Sequence, residues 1–248
     1  MSVWRQAPLV VGHRGGRGEG WPPENTMQAF DRARAEGARA IELDARLCAS
    51  GEPVVFHDET LSRMTGGSDA RALVAVGFRD LAQIDLGGGA RVPLLAEVLA
   101  WARAKDTGVN VELKSEGFGR WALAQATSRV LRGAHADVLV SSFDPLLLAC
   151  MGLSAPRVPR ACLTHAAERW LGPVVQNVVR PPLASTLHLE ASSIGDATLA
   201  PYLRRGLRIG VWTVNDPLQA LDLVRRGAAS IITDAPGVLL AALPPART

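Results

Sequence analysis

Short runs of apolar and β-branched residues recur along the chain, and segments with helical spacing of apolar positions follow most of them. We expect eight strands, at residues 9–13, 40–46, 109–114, 137–142, 160–163, 186–190, 208–214 and 230–233. We expect helices at residues 26–37, 94–105, 119–131, 145–151, 166–178, 197–205, 217–226 and 236–243. Strands that are apolar on both faces are typical of a parallel sheet covered by helices.

The number of these repeats favours one α/β domain. Eight βα units in 248 residues predict a single (β/α)8 TIM barrel that spans residues 1–248. A doubly wound open sheet is the competing arrangement, but no glycine-rich dinucleotide turn opens a helix after the first strand. We therefore expect the closed barrel.

One segment departs from the repeat. Residues 52–57 follow the second strand after only a Ser50-Gly51 turn, which is too short for a parallel crossover. We expect this segment to return as an antiparallel hairpin, which brings His57 towards Glu42 and Asp44. Residues 58–92 are then a small, glycine-rich insertion over one mouth of the barrel.

The second strand carries two carboxylates on one face. Alternate side chains of a strand share a face, so Glu42 and Asp44 point together while Ile41 and Leu43 point away. Such a pattern fits either an exposed amphipathic edge strand or a site where a cation separates the two like charges. The polar residues at the other strand ends decide between these interpretations.

Charged and aromatic residues stand at the carboxyl ends of several predicted strands, where a barrel builds its sites. They are His13, Arg14, Glu42, Asp44, Glu112, Lys114, Ser141, Ser142, His188, Glu190 and Trp212. Burying so many charges is costly unless they are paired or bound to a metal. We therefore interpret these strand ends as one converging site.

The chemistry of this set favours a hard cation and an anionic substrate. Three carboxylates, from Glu42, Asp44 and Glu112, with no cysteine and no zinc-type histidine pair, suit Mg²⁺ or Ca²⁺ better than zinc. Arg14 and Lys114 add positive charge on the same mouth. Lys114 shares a strand face with Glu112, so an ordinary salt bridge in a solvated strand is the alternative.

Two histidines, His13 and His57, are expected beside the carboxylates. Imidazoles titrate near neutral pH, so a converging pair can serve as general acid and general base. A single histidine at a strand end is more often structural. The convergence of two on an acidic cluster favours catalysis.

The composition of the chain limits which partners and which cellular compartment we expect. The net charge is only +3, and no basic run is interleaved with aromatic residues, so we expect no nucleic-acid partner. Three cysteines, without metal-type spacing, are typical of a reducing compartment. We see no secretory leader and no apolar run long enough to cross a bilayer, so we expect a cytoplasmic protein without stable membrane insertion. The oligomeric state is left open.

The ordered motifs resemble those of the glycerophosphodiester phosphodiesterase family, and the segments at 187–189 and 208–215 are similar to its short cytosolic bacterial branch. The motifs are His13-Arg14-Gly15-Gly16, Pro23-Glu24-Asn25-Thr26, Glu42-x-Asp44, His57-Asp58, Glu112-x-Lys114, Ser142-Phe143, Trp212-Thr213-Val214-Asn215 and Thr233-Asp234. Each string alone is weak, whereas the whole set in order covers nearly the entire chain.

The resemblance implies a role for each matching residue. It assigns metal ligation to Glu42, Asp44 and Glu112, and acid/base catalysis to His13 and His57. It also assigns phosphate binding to Arg14 and Lys114, and an aromatic wall of the glycerol pocket to Trp212. We add His188 and Glu190 as candidate lining residues, and we assign the Asn25-Thr26 pair to capping of the first helix.

The implied reaction is metal-dependent cleavage of a glycerophosphodiester to glycerol 3-phosphate and an alcohol such as choline or ethanolamine. The nucleophile, water or the glycerol 2-hydroxyl, stays open, as does the choice of acid and base between the histidines. One alternative is lysophospholipase D-type cleavage at a membrane, for which the insertion offers only scattered apolar residues. The other is a non-catalytic protein that binds a phosphorylated polyol and tolerates loss of a histidine, yet both histidines are present.

Overall fold

Eight parallel strands form a closed barrel in the computed structural model, which describes residues 2–114, 119–165, 184–195 and 198–246. The strands are β1 (Leu9–Gly12), β2 (Ala40–Leu47), β3 (Pro53–Val55), β4 (Gly108–Leu113), β5 (Val138–Ser142), β6 (Arg160–Thr164), β7 (Thr186–Glu190), β8 (Arg208–Trp212) and β9 (Ser230–Thr233). β1 pairs in parallel with both β2 and β9, which closes the barrel. β3 alone runs antiparallel to its neighbour, β2. The predicted barrel and its hairpin are confirmed.

Helices follow the strands on the outside. They are α1 (Met27–Ala35), α2 (Phe78–Leu81), α3 (Leu95–Ala104), α4 (Arg120–Ala134), α5 (Pro145–Ser154), α6 (Ala200–Leu203), α7 (Pro217–Arg225) and α8 (Pro236–Ala242). The helix predicted at 166–178 lies outside the described residues. The helix predicted at 197–205 is only the four-residue α6, because Ala200 and Pro201 start it late and Gly206 ends it.

Side-chain caps explain where several helices begin. The Thr26 hydroxyl accepts a hydrogen bond from the backbone N–H of Ala29, as the cap predicted for the first helix requires. Asp144 and Asp216 cap α5 and α7 in the same way, each followed by a proline at the first helical position. α4 extends past the predicted end to Ala134, where His135 adopts a left-handed φ of 50°.

Two of the three apolar clusters among the described residues support the elements that carry the site. The larger one lies between the barrel strands and the surrounding helices. The smaller one packs the insertion onto the hairpin and consists of Cys48, Val54, Phe56, Leu61, Leu73, Val76, Leu81, Leu86, Ala90 and Val92. Since Phe56 is buried in this cluster, the insertion fixes the position of the adjacent His57. No helix in the described part of the chain is long and apolar enough to cross a membrane.

Candidate active site

A cavity of about 560 Å³ opens at the carboxyl ends of the barrel strands. Its lining residues are His13, Arg14, Arg17, Glu42, His57, Asn110, Glu112, Leu113, Lys114, Ser142, Phe143, Asp144, Leu163, His165, Trp212, Thr213 and Ile232. Of the ten residues to which the sequence interpretation gives a site role, the structure brings seven to the lining of one cavity, and Asp44 lies fully buried beside them. The exceptions are His188 and Glu190.

The carboxylates of Glu42, Asp44 and Glu112 converge as the strand alternation predicts. Asp44 on β2 is the direct register partner of Glu112 on β4, and Glu42 lies two positions earlier on the same face. One oxygen from each carboxylate lies within 4.8 Å of the others, and all three residues are buried. This spacing suits a single hard cation held by oxygen donors.

Burial and neighbouring charges give the three carboxyl groups different pKa values. Burial alone raises the pKa of Asp44, but the cations of Lys114 and Arg14 outweigh it and lower that pKa to about 2. The pKa of Glu112 is raised to about 7 by burial and by repulsion from Asp44, against the attraction of Lys114. Burial and the same repulsion raise the pKa of Glu42 well above its usual range. The raised pKa values show that burial and mutual repulsion disfavour three ionised carboxylates here, because together they would carry one more negative charge than the two cations neutralise.

A divalent cation fits this imbalance. Oε1 of Glu42 is buried and accepts no hydrogen bond from any residue that the structure describes. Buried carboxylate oxygens are normally satisfied, so one without a donor points to a ligand of opposite charge. An all-oxygen donor set of three carboxylates matches Mg²⁺ or Ca²⁺.

Lys114 and Arg14 are held by the same acids. Lys114 Nζ forms ion pairs with Asp44 Oδ1, at 3.2 Å, and with Glu112 Oε1. Arg14 Nε lies 3.1 Å from Asp44 Oδ2, and the backbone N–H of Arg14 donates to Glu42 at 3.1 Å. Arg14 and Lys114 thus lie beside the three carboxylates and also line the cavity, where an anionic group can reach them.

Asn25 is a site residue that the sequence interpretation missed. Its amide nitrogen donates to Asp44 Oδ2 at 2.8 Å, and its amide oxygen accepts from the backbone N–H of Asp44 at 3.3 Å. Thr26, not Asn25, caps the helix. Asn25 has a left-handed φ of 59°, which an asparagine tolerates better than most residues. An asparagine in a turn beside a predicted cap was the available signal.

His13 and His57 are each held by an aspartate. His13 Nδ1 lies 2.7 Å from Asp234 Oδ1, and His57 Nδ1 lies 2.7 Å from Asp58 Oδ1. The pKa of both aspartates is lowered, by hydrogen bonds and positive neighbours that outweigh burial, so both are ionised acceptors. The Nδ1 of each histidine is therefore the donor, and each Nε2 is left for the cavity.

Desolvation keeps both imidazoles neutral at rest. Burial lowers the pKa of His13 and of His57, although their aspartate partners act in the opposite direction. A neutral imidazole with a free Nε2 can accept a proton, and after protonation it can return one. The two histidines therefore have the tautomer and the protonation range of an acid/base pair.

Three aromatic rings form another part of the cavity lining. His165 stacks on Phe143 with ring centroids 4.1 Å apart, and Trp212 meets both rings edge-on at 5.4 and 5.5 Å. Lys114 Nζ lies 5.8 Å from the centroid of the Phe143 ring. The cavity thus has a charged side that suits a phosphoryl group and an apolar side that suits a carbon skeleton.

The sequence model of the glycerophosphoryl diester phosphodiesterase family matches residues 13–238. The chain belongs to this family. The match begins at His13 and extends past Asp234, so every residue of the cavity described above falls within it. Membership makes the chain an enzyme of the phosphodiesterase class.

Relatives of known sequence or structure agree with this membership. A glycerophosphodiester phosphodiesterase of Caldanaerobacter subterraneus subsp. tengcongensis is 29% identical over 94% of this chain and 96% of its own length. An uncharacterized protein of Bacillus subtilis, YqiK, is 31% identical over 92% and 95% of the two chains. A phosphodiesterase of Oleispira antarctica, solved with the product sn-glycerol-3-phosphate, has a TM-score of 0.85 at 26% identity and covers 95% of this chain and 96% of its own.

The structure of this family member does not bring His188 to the cavity. His188 is 1% exposed and lies deeper in the barrel, where its ring packs against Gly210. Burial lowers its pKa to about 4. Glu190, two positions later on the same face, is nearer the mouth and lies 3.7 Å from His165. The link between His188 and the cavity is its backbone carbonyl, which accepts a hydrogen bond from Trp212 Nε1 at 3.4 Å. The imidazole of His188 does not line the cavity.

Proposed function

We propose that this phosphodiesterase hydrolyses glycerophosphodiesters to glycerol 3-phosphate and an alcohol, with a divalent cation bound by Glu42, Asp44 and Glu112. The strongest support is the convergence of that carboxylate cluster with two aspartate-held histidines on one cavity. The relative from Oleispira antarctica, which binds sn-glycerol-3-phosphate, supports the product class. Such a cation, when bound, supplies positive charge to the phosphoryl oxygens.

The remaining chemistry falls to side chains of the cavity. Arg14 and Lys114 bind the phosphoryl oxygens and stabilise the charge that grows on them in the transition state. Nε2 of one histidine accepts a proton from the attacking water, or from the glycerol 2-hydroxyl, as its oxygen bonds to phosphorus; attack by the 2-hydroxyl gives a cyclic phosphate, which a water then opens in a second step to give glycerol 3-phosphate. Nε2 of the other histidine donates a proton to the alcohol oxygen as its bond to phosphorus breaks. Trp212 packs against the glycerol carbons.

The proposed compartment is the cytoplasm and the proposed partner is a small molecule. The chain has three cysteines, without metal-type spacing, which is typical of proteins in a reducing compartment. The cavity volume of about 560 Å³ is in the range of small-molecule sites. Deacylated glycerophosphodiesters are water-soluble and need no membrane contact.

The deciding experiment measures release of glycerol 3-phosphate from glycerophosphocholine. We expect turnover by the metal-loaded protein, loss of turnover after dialysis against EDTA, and recovery when Mg²⁺ or Ca²⁺ is added in separate reactions. Full activity of protein that metal analysis shows to be metal-free would refute the cation. No release under any condition would refute the substrate class.

The same assay separates the two alternatives. Lysophosphatidylcholine micelles replace glycerophosphocholine in a parallel reaction, and kcat/KM is compared. We expect the deacylated diester to be the better substrate by far. Comparable values would favour cleavage at a membrane, and tight binding of glycerol 3-phosphate without any turnover would favour a binding protein.

A further inference from the structure

The carboxylate of Glu24 receives three guanidinium groups at the rim of the cavity. Its Oε1 accepts from Arg14 Nη1 at 2.8 Å and from Arg63 Nη2 at 2.6 Å, and its Oε2 accepts from Arg17 Nη1 at 3.4 Å. Glu24 is 7% exposed. A buried carboxylate shared by three arginines is far from an ordinary surface ion pair, because each guanidinium is a rigid fork that also binds elsewhere.

Two of those arginines continue to the two histidines. Arg17 donates from Nε to Asp234 at 2.8 Å, and Asp234 holds His13. Arg63 donates from Nε to Asp58 at 2.6 Å, and Asp58 holds His57. The two arms are built alike: each passes from Glu24 through an arginine to an aspartate, and from the aspartate to Nδ1 of a histidine.

We propose that Glu24 is a positioning residue that holds both histidine–aspartate pairs and Arg14 in one common geometry. Glu24 precedes α1, Asp234 follows β9, and Arg63 belongs to the insertion, so this carboxylate joins three separate parts of the chain. The proposal rests on the proposed hydrolysis, in which the two histidines and Arg14 act on one phosphoryl group.

Loss of the Glu24 charge has a direct physical consequence. Arg14, Arg17 and Arg63 would repel one another around the vacated carboxylate, and each would turn towards its remaining acidic partner. Both aspartates would then shift, and with them the Nε2 atoms that exchange protons. A displacement of about 1 Å in a catalytic group costs on the order of 100-fold in rate.

The insertion gains a function from the same geometry. Arg63 is half-exposed and does not line the cavity, yet it is the only contact through which Glu24 reaches Asp58 among the described residues. A residue of the insertion therefore completes the support of His57 without touching the substrate.

The test uses Glu24→Gln, Arg63→Gln and the double variant, with Asp222→Asn as a matched control. Asp222 pairs with Arg226 on the surface of α7, far from the cavity, so the control removes an arginine–carboxylate pair of no catalytic consequence. We expect kcat for glycerophosphocholine to fall about 10- to 100-fold in Glu24→Gln and about 10-fold in Arg63→Gln. The control stays within about twofold of the wild type.

The double variant identifies the path. Because both substitutions act through Asp58 and His57, its kcat should be higher than the product of the two single effects predicts. Purely multiplicative effects, or a rise in KM with unchanged kcat, would show that Glu24 does not act on His57 through Arg63 and would overturn the proposal. Unchanged kcat with a lower Tm would show a merely structural role.

A readout without turnover separates this proposal from the proposed function. The ring N–H protons of His13 and His57, hydrogen-bonded to ionised aspartates, should give two downfield proton NMR signals, assigned from His13→Gln and His57→Gln. Glu24→Gln should shift or broaden both signals, and Arg63→Gln only that of His57. Unchanged signals in Glu24→Gln overturn the positioning role even if the wild type is active. Altered signals in a protein without turnover refute the proposed hydrolysis and leave the geometry standing.

Discussion

His13 Nδ1 lies 2.7 Å from Asp234 Oδ1, although the two residues are 221 positions apart in the chain. His13 follows β1 and Asp234 follows β9, so the pair forms only where the last strand of the barrel meets the first. The backbone N–H of His13 also donates to the Thr233 carbonyl at 2.8 Å across the same seam. Closure of the barrel therefore also sets the orientation of the His13 imidazole.

The two histidines should be separable from the fold by mutation. His13→Ala and His57→Ala should each lower kcat for glycerophosphocholine by about 10²- to 10⁴-fold, since each removes one proton transfer. His135→Asn is the control, because His135 is exposed and its φ of 50° suits asparagine. Steady-state kinetics and thermal melting are measured together. If His13→Ala melts much earlier yet turns over normally once folded, His13 is structural.

The cation should depend on Glu42 more than on any exposed carboxylate. Glu42 Oε1 has no hydrogen-bond donor among the described residues, so this oxygen is available as a metal ligand. Glu42→Gln should weaken Ca²⁺ or Mg²⁺ binding by at least about 10-fold in isothermal titration calorimetry. The control is Glu19→Gln, which changes an exposed glutamate outside the cavity. Equal affinities of the two variants for both metals would remove Glu42 from the proposed ligand set.

Asp234 should make stability depend on pH in the acid range. Burial raises the pKa of Asp234, but hydrogen bonds from His13 and Arg17 outweigh burial and lower it below its usual range. A carboxyl with a lowered folded-state pKa stabilises the protein above its unfolded pKa of about 4, and this stabilisation is lost as pH falls below that value. Asp234→Asn removes the titration.

The measurement compares Tm of the wild type and Asp234→Asn between pH 3 and pH 7. The difference should be largest above about pH 5 and should shrink at lower pH, where the Asp234 carboxyl of the unfolded chain takes up a proton while that of the folded protein stays ionised. A difference that stays constant over the range would mean that the charge of Asp234 contributes nothing to stability. Asp216 caps α7 and does not contact Asp234, so Asp216→Asn serves as the comparison.

Much of this site follows from strand parity alone. Glu42, Asp44, Glu112 and Lys114 could be placed together because alternate positions of neighbouring parallel strands share a face. The barrel could also be predicted from the sequence, since the number of repeats and the chain length are typical of it. Residues that belong to regular strands were therefore predictable from their own local pattern.

The contacts that hold these site residues in place could not be predicted from strand parity. Arg14 and Asn25 have positive φ angles of 52° and 59°, and such turn conformations decide where their side chains point. The role of Asp234 depends on closure of the barrel, and that of Glu24 on three arginines from distant segments. No local pattern encodes these partners.

His188 shows a limit of the strand-end argument. Alternate positions on one strand face the barrel interior at different depths, so a residue two positions before the end lies one layer below the mouth. His188 occupies that lower layer while Glu190 stands at the end of β7. Strand parity predicts the face of a side chain, and depth requires the tilt and register of the closed barrel.

The packing of His188 against Gly210 should be visible in stability and not in catalysis. A Cβ at Gly210 would lie 2.5 Å from His188 Cδ2 and 2.7 Å from Ser230 Oγ, inside any normal contact distance. Gly210→Ala should therefore lower the free energy of unfolding by about 1–3 kcal/mol through overpacking.

Gly133→Ala is the matched control, because a Cβ there meets open space and the substitution removes a flexible glycine from α4. It should stabilise the protein by about 0.5–1 kcal/mol. Denaturant unfolding measures both, and kcat of the folded Gly210→Ala protein should remain near the wild-type value. A large loss of kcat without loss of stability would instead give the His188 layer a part in the reaction.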